Sequence, residues 1–438
     1  MQYSDIGTTS RKLSLISGHA RRDRGFQFTS LAHLLDVEVL RDCYESFNRN
    51  TAVGIDGVSW KECGEDLTEN LDRLVQKLKL KSYKPKPARR VYIPKNETET
   101  RPLGISAREN KIVERGLTWI LESIYEQDYL NSSYGFRRGR SAHQALKQIN
   151  DPLMFQPVNY IVEADIKGFF DKVSQEHLME FVRIRIRDMT LLNLIKKYLK
   201  AGYADAGLLV TSDEGTPQGS ILSPMLSNIF LHYVLNTWYD TTVKSLVHRY
   251  CELVRYADDF ICLVRYADDA KRIERGLHNR FNKYGLALHP AKTRRIGFGH
   301  FVRENAERQN RRANRFDFLG FTHYCDTSRK GNFKVGRTTT RKKFAAKCKV
   351  MNRWFGKIRN VVPTKDWWKT FQAKTRGHLQ YYRVGENYAG VRRFYNATIR
   401  MVHKWMNRRT QKRKMSWERF TEYLGHYPLP KLRIMHTF

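Results

Sequence analysis

The residues best suited to chemistry are two pairs of adjacent aspartates, each inside a copy of RYADD at residues 255–259 and 265–269. Neighbouring carboxylates repel each other unless a cation or strong hydrogen-bond donors neutralise them. Apolar residues flank the first copy on both sides, which predicts a strand, a tight turn and a second strand, with Asp258 and Asp259 in the turn. A polar surface turn is the simpler alternative, but buried flanking strands favour a bound divalent metal.

The second copy is followed by AKRIERGLHNRFNKYG, in which apolar residues recur every four positions up to Gly285. This spacing predicts a helix that ends at the glycine. Asp268 or Asp269 would then be its N-cap, stabilised by free backbone N–H groups. The first pair is therefore the better metal-site candidate.

A third carboxylate, Asp165, follows the apolar strand candidate NYIVEA and precedes Gly168. An aspartate beside a glycine could simply cap a turn. If Asp165 meets the acidic hairpin, however, the cluster of hard oxygen ligands suits Mg²⁺. We therefore predict metal ligation by acids from separate segments.

The elements that would position these acids indicate an α+β protein. Residues 1–80 have helical spacing, and residues 83–105 read as two extended segments joined by the polar run NETET. Helical patterns then alternate irregularly with strand candidates, including LMEFVRIRIRDMTLLNLIKKYLKAG and SPMLSNIFLHYVLNTWY. This order is typical of a mixed catalytic domain, which we expect to end near Phe321.

The charge balance points to a polyanionic partner. Lys and Arg number 79 against 44 acids, a formal net charge of +35. Residues 341–414 hold 22 Lys or Arg and two acids, with aromatic residues interleaved. A solvated basic helical face is the alternative, but the one-sided excess favours nucleic acid.

Other classes are disfavoured by composition. We find neither an 18-residue apolar run nor a secretory leader, so no membrane partner is expected and a bacterial cytoplasmic location is favoured over an organelle. The six cysteines are scattered without C-x-x-C pairs, which predicts reduced thiols and no zinc site.

Several segments, in order, resemble those of reverse transcriptases: GIDGVS, RRVYIPKNETETRPLGI, SSYGFRRGRSAHQAL, EADIKGFFDKV, GTPQGSILSPMLSNIFL, RYADDF, HPAKTR and FDFLGF. The later segments GHLQYYRVGENY and LPKLRI are similar to the thumb and maturase region of group II intron reverse transcriptases. The resemblance implies a right-hand polymerase with fingers and palm over residues 81–321. An α-helical thumb/maturase domain over residues 322–438 follows, and residues 1–80 form a helical N-terminal extension.

The resemblance also implies the catalytic groups. Asp165, Asp258 and Asp259 would hold two Mg²⁺ ions, or Mn²⁺ as a substitute, with the Ile166 carbonyl completing a metal shell. The reaction would be in-line attack of a primer 3′ hydroxyl on the α-phosphate of a deoxynucleotide.

Residues implied to bind the incoming nucleotide are Lys95, Arg101, Gly168, Phe169, Phe170, Gln218 and Lys292. Phe170 corresponds to the residue that excludes a ribose 2′ hydroxyl, although either it or Phe169 could be ordinary core. At Lys292 the motif departs from the family, because His289 stands where asparagine is more usual.

The implied function is RNA-directed DNA synthesis by a group II intron protein that also binds intron RNA to assist splicing and mobility. Its partners would be intron RNA, an RNA template with a DNA primer, dNTPs and a DNA target site. The alternatives are a non-catalytic splicing maturase and a related enzyme recruited to host defence or repair. Because no cysteine pairs typical of the family's endonuclease module follow LPKLRI, we expect no second-strand cleavage, and mobility would need another primer.

Overall fold

The computed structural model describes residues 7–94, 99–205, 207–211, 213–302, 308, 314–409 and 414–438. The chain divides into two compact units. Unit 1 comprises Met1–Ser141, Ala164–Cys262 and Lys271–Arg294. Unit 2 comprises Ala142–Glu163, Leu263–Ala270 and Arg295–Phe438. The predicted boundaries of extension, fingers, palm and thumb stay predictions.

Helices occupy most of the N-terminal part of unit 1, as predicted. They are α1 (Gly7–Arg22), α2 (Val37–Glu45), α3 (Trp60–Glu65), α4 (Leu67–Lys79) and α5 (Arg108–Tyr125). Asp36 caps α2 by accepting from the Val39 amide, and Ser59 forms a capping box with Glu62 at the start of α3. Helix α5 is buried along most of its length and contacts α1 and α2, so it is the central helix of this part.

The predicted extended pair is present as an antiparallel ribbon of β1 (Ala88–Pro94) and β2 (Thr100–Ile105). With β4 (Tyr203–Asp205) and β5 (Leu208–Val210) it forms a sheet of order β2-β1-β4-β5. The register pairs Ile93 with Arg101, which puts Arg101 near the tip of the ribbon. Lys95 and the first three residues of the predicted NETET connection lie outside the described residues.

Along the chain, the ribbon and α5 are followed by α6 (Ala142–Phe155), β3 (Tyr160–Asp165), α7 (Phe169–Lys172), α8 (Gln175–Arg185) and α9 (Met189–Lys200). The sequence pattern predicted one helical stretch where α8 and α9 stand. The break occurs because Asp188 caps α9, accepting from the backbone amides of Thr190 and Leu191.

The long apolar helix predicted after Gln218 begins as α10 (Ser223–Leu231) and continues in π-helical turns over His232–Thr237 and Tyr239–Val243, ending in α11 (Lys244–Leu246). Strands β6 (Cys251–Tyr256) and β7 (Asp259–Val264) follow, then α12 (Ala267–Lys283) and β8 (Arg294–Gly297). The sheet order is β6-β7-β3-β8.

The predicted N-cap of α12 was wrong. Asp268 and Asp269 lie inside the first helical turn, because the helix begins at Ala267. The Ala270 amide already bonds to the carbonyl of Tyr266. The two acids still benefit from the positive end of the helix dipole.

Unit 2 contains a sheet that the sequence pattern did not predict. Its strands are β9 (Arg315–Phe318), β10 (Phe321–Thr327) and β11 (Phe333–Thr339), in the order β11-β10-β9. The predicted C-terminal helices follow as α13 (Arg341–Ile358), α14 (Thr364–Tyr382), α15 (Tyr388–Asn407) and α16 (Trp417–His426). Their core is rich in aromatic residues, including Phe355, Trp367, Trp368, Phe371 and Phe394.

All six cysteines are free thiols in the structure. No helix in the described ranges combines the length and apolar character that crossing a bilayer requires.

Candidate active site

Asp165 is placed by the end of strand β3 and by a second segment that runs beside it. The Lys167 amide donates to the Ala287 carbonyl at 2.9 Å, and the His289 amide donates to the Asp165 carbonyl at 2.8 Å. A turn after His289 then brings Lys292 back, so that its Nζ lies 2.8 Å from Oδ2 of Asp165. The HPAKT segment and the Asp165 strand end therefore form one local structure.

The first RYADD copy forms the predicted hairpin. Asp258 lies in the turn and is half-buried, whereas Asp259 is the first residue of β7 and is exposed. Ala257, directly before them, has φ of 58°, in the left-handed region that non-glycine residues rarely occupy. Such strain persists only where surrounding contacts hold it, and it is frequent at functional sites.

Electrostatics link the separate segments. Burial raises the pKa of Asp258, and the negative charge of Asp165 raises it further, while Arg101 and Arg255 oppose the shift. The hydrogen bond to Asp165 raises the pKa of Lys292, and the charges of Asp259 and Asp258 add to this. The charges of Asp165 and Arg101 thus act on Asp258, and the charges of all three predicted catalytic acids act on Lys292.

The chemistry of this cluster fits a hard divalent cation. Three carboxylates supply oxygen donors, and the cluster already attracts the ammonium group of Lys292. Within the described ranges, no three His, Cys, Asp or Glu side chains converge closely enough to enclose a metal ion. Asp165, Asp258 and Asp259 are the described acids that would hold such an ion, and the ion would compete with Lys292 for the Asp165 carboxylate.

Residues 215–222, which precede α10 and are here called the Gln218 loop, contact the β1–β2 ribbon. Gln218 donates from Nε2 to both carboxylate oxygens of Asp171, at 3.0 and 3.1 Å, and its carbonyl accepts from the Gly104 amide. Gly219 has φ of 105°, and a Cβ there would lie 2.4 Å from the Gly104 carbonyl oxygen. Only glycine fits this position without moving the ribbon.

A buried carboxylate that the sequence patterns did not single out supports the same loop. Glu114 on α5 accepts from Ser106 Oγ at 2.8 Å, Ser220 Oγ at 2.9 Å and the Ile221 amide at 2.8 Å. Burial raises the pKa of Glu114, whereas these three donors lower it. Its position within a helical apolar pattern was the available sequence signal, since a lone acid there must find buried donors.

The two adjacent phenylalanines have different environments. Phe169 is 3% exposed and packs against Phe230, so it belongs to the core. Phe170 is half-buried and lines a cavity of about 240 Å³ together with Asp171 and Gln218. Of the pair, Phe170 is therefore the one with a side chain available to a ligand.

The remaining predicted residues form the turn between the phenylalanines and Asp165. Gly168 is exposed, has φ of 60° and precedes α7, and a Cβ added to it would meet no atom within 4 Å. Ile166 is buried and pairs with Leu288 as an isolated bridge. Lys95 lies outside the described residues, so its predicted contact with the nucleotide stays a prediction.

Comparison with known proteins agrees with the geometry. The model of the family described as reverse transcriptase (RNA-dependent DNA polymerase) matches residues 93–323, more than half of the chain. The chain belongs to this family.

The chain is similar to individual proteins, some of which are named as intron-encoded. The group II intron-encoded protein LtrA of Lactococcus lactis subsp. cremoris is 37% identical over 222 residues, covering 50% of this chain and 37% of LtrA. Protein YkfC of Escherichia coli (strain K12) is 36% identical over 243 residues, covering 48% of this chain and 63% of YkfC. An uncharacterized 91 kDa protein in a cob intron of Schizosaccharomyces pombe is 34% identical over 199 residues, covering 45% of this chain and 24% of that protein. The chain thus spans less than two thirds of the length of each of these relatives.

Proposed function

We propose that this protein is an RNA-directed DNA polymerase of the group II intron class, which copies RNA and also binds intron RNA to assist splicing and mobility. The observation that carries the proposal is that Asp165, at the end of β3, and Asp258 and Asp259, at the start of β7, lie on neighbouring strands, with Lys292 bonded to Asp165. A polymerase needs converging acids from separate segments, whereas an RNA chaperone does not.

In this proposal Asp165, Asp258 and Asp259 hold two Mg²⁺ ions, with the Ile166 carbonyl as a further ligand. Bound Mg²⁺ would make the primer hydroxyl more acidic and neutralise charge on the leaving pyrophosphate. The protein itself orients the carboxylates: β3 fixes one and the β6–β7 turn fixes the others.

Cationic side chains hold the triphosphate. Arg101 lies near the ribbon tip and is exposed, so its guanidinium can engage phosphate oxygens through paired hydrogen bonds. Lys292, once displaced from Asp165, supplies a second positive charge beside the reacting phosphates. Lys95 is proposed to act with Arg101, and the backbone amides of Gly168 and Phe169 are proposed as further donors.

The Phe170 cavity supplies sugar selection. A ring beneath the ribose disfavours a 2′ hydroxyl by steric clash, so the site would select dNTPs over rNTPs. Gln218 contacts the nucleotide after releasing Asp171, and the Glu114 contacts keep its loop in place.

The RNA-binding part of the proposal rests on charge. Residues 341–414 carry 22 Lys or Arg and two acids, and most belong to α13, α14 and α15. LtrA is by name a group II intron-encoded protein, which favours intron RNA as the polyanion over an unrelated transcript.

Primer extension on an RNA template with Mg²⁺ and dNTPs tests the catalytic assignment. Asp258→Asn should reduce extension by at least about 100-fold, because it removes a ligand charge. Asp268→Asn is the matched control, since it changes the corresponding, exposed aspartate of the second RYADD copy, and it should extend like wild type. Full extension by the Asp258 variant would reject the assignment.

The alternatives give different results in the same assays. A non-catalytic maturase would assist splicing of its intron at an unchanged rate after Asp258→Asn, with no DNA synthesis by wild type. An enzyme recruited to defence or repair would extend primers but would not accelerate splicing of any intron RNA beside its gene.

A further inference from the structure

Arg255 of the first RYADD copy is completely buried, with 0% of its surface exposed, although it carries a charge and lies next to the candidate catalytic turn. Burying a guanidinium costs several kcal/mol unless its donors are satisfied. Burial lowers the pKa of Arg255 to about 9, which reflects this cost. No role in the proposed chemistry so far accounts for the residue.

Its side chain is held by four uncharged partners. Nε donates to Asn236 Oδ1 at 2.7 Å, Nη1 to Asn228 Oδ1 at 2.9 Å and Nη2 to Ser133 Oγ at 2.6 Å. The fourth bond runs from Nη1 to the carbonyl oxygen of Ala257 at 2.9 Å. Through these bonds Arg255 connects Ala257, the residue with positive φ, to α10, to the π-helical turn after α10 and to residues 132–136, here called the SSYGF segment.

The SSYGF segment closes on the turn from the other side. The Tyr134 amide donates to the Arg255 carbonyl at 2.9 Å, and the Arg255 amide donates to the Ser132 carbonyl at 2.7 Å. Gly135 lies so close that a Cβ there would be 2.2 Å from the Ala257 nitrogen. Asn228 Nδ2 in turn donates to the Gly135 carbonyl at 2.9 Å, which completes the ring of contacts.

These contacts over-determine one backbone conformation. Ala257 stays at φ of 58° because Arg255 holds its carbonyl while Gly135 blocks movement of its amide. The next residue is Asp258, so a change in the backbone of Ala257 would turn the Asp258 carboxylate away from Asp165.

We propose that Arg255, supported by Asn228 and Asn236, is a positioning residue that holds the Ala257 backbone in its strained conformation and thereby aims the Asp258 carboxylate into the acidic cluster. The proposal rests on the function proposed above for that cluster. Arg255 touches neither substrate nor metal in this role.

The first test compares two buried arginines. Arg255→Lys keeps the charge but lacks the planar fork, so it cannot serve all four acceptors. Arg185→Lys is the matched control in unit 1: Arg185 is 1% exposed and binds Asp128 and backbone carbonyls of the segment after α1, not the RYADD turn. Both variants are purified, checked by thermal unfolding, and titrated with Mn²⁺ by electron paramagnetic resonance.

Groups that orient the ligands of a metal site typically contribute about 10- to 100-fold in affinity or rate, and we expect Arg255→Lys to weaken Mn²⁺ binding and kcat within that range. KM for dNTP should change less than about threefold, because the nucleotide contacts come from other elements. Arg185→Lys should lower the unfolding temperature without changing Mn²⁺ affinity. Equal Mn²⁺ affinity of Arg255→Lys and wild type, or equal weakening in both variants, would overturn the proposal.

A second variant separates positioning from general stability. Glycine adopts a positive φ without a Cβ penalty, so Ala257→Gly in the Arg255→Lys background should recover part of the lost Mn²⁺ affinity. No recovery, in a protein that unfolds at the same temperature as the single variant, would count against the strain argument. If Arg255→Lys does not fold, Asn236→Ala removes the Nε acceptor, together with the bond from Asn236 Nδ2 to Ser132 Oγ, and must weaken Mn²⁺ binding for the proposal to stand.

The Mn²⁺ titration does not need DNA synthesis. If wild type binds Mn²⁺ but extends no primer, the proposed polymerase function fails while the role of Arg255 is still decided by the affinity difference. If wild type extends primers and Arg255→Lys does so equally well, only the positioning role fails.

Discussion

Replacement of Glu114 should destabilise the protein, because it removes the side chain that holds the Gln218 loop against α5. Glu114→Ala removes the acceptor of three donors: Ser106 Oγ, Ser220 Oγ and the Ile221 amide. A buried donor left without a partner costs about 1–3 kcal/mol. The hydroxyls can rotate towards other acceptors and the desolvated charge is removed, so we expect a net loss of about 3–5 kcal/mol in the free energy of unfolding.

Glu114→Gln is the matched variant, because the amide oxygen keeps two of the donors and its NH₂ group can donate to Ser106. It should cost less than about 1.5 kcal/mol. Urea unfolding measures both values, and primer extension at varied dNTP concentration measures the effect on the loop, which should appear in KM for dNTP. An alanine variant within about 1 kcal/mol of wild type would refute the reasoning, since Glu114 would then support nothing.

Three further predictions concern single positions. Gly219→Ala should destabilise the protein by about 1–3 kcal/mol more than Gly139→Ala in urea unfolding, because both have positive φ but only Gly219 abuts the Gly104 carbonyl; equal losses would contradict the contact. Phe170→Ala should raise rNTP incorporation relative to dNTP by at least about tenfold in single-nucleotide extension, and an unchanged ratio would assign sugar selection elsewhere. Burial lowers the pKa of His232 to about 3 from an ordinary 6.5, so the unfolded state takes up its proton first and stability falls as the pH drops below 6.5. His232→Phe should reduce that fall by about 1.4 kcal/mol per pH unit in unfolding measured between pH 6.5 and 4.5, and an unaltered slope would exclude His232 as its source.

The elements that carry the candidate site residues could be predicted from the sequence wherever the local pattern of apolar and polar residues determines the local conformation. Apolar strands around an acidic turn predicted the β6–β7 hairpin, and the apolar run before Asp165 predicted β3. The two extended segments joined by NETET and bounded by prolines likewise predicted the ribbon that carries Arg101. For β3 and the β6–β7 hairpin, burial of short apolar segments is enough to fix the structure.

The supporting residues could not be predicted in this way because their partners are distant in the chain. Arg255 binds Ser133 and Asn228, and Glu114 binds Ser220, so neither interaction has a local signal. The β10–β11 hairpin was missed because its polar and small residues form no strong alternation, and its strands gain their stability from pairing with each other.

The two copies of one pentapeptide have different structures: the first closes a hairpin and the second opens α12. Five residues therefore do not encode this site, and a segment transplanted into another scaffold would need more than RYADD to recreate it. The minimum portable unit would include both flanking strands, the glycine at position 135 and an amide side chain opposite the guanidinium. An enzyme engineer who moves the acids alone should expect a flexible, inactive loop.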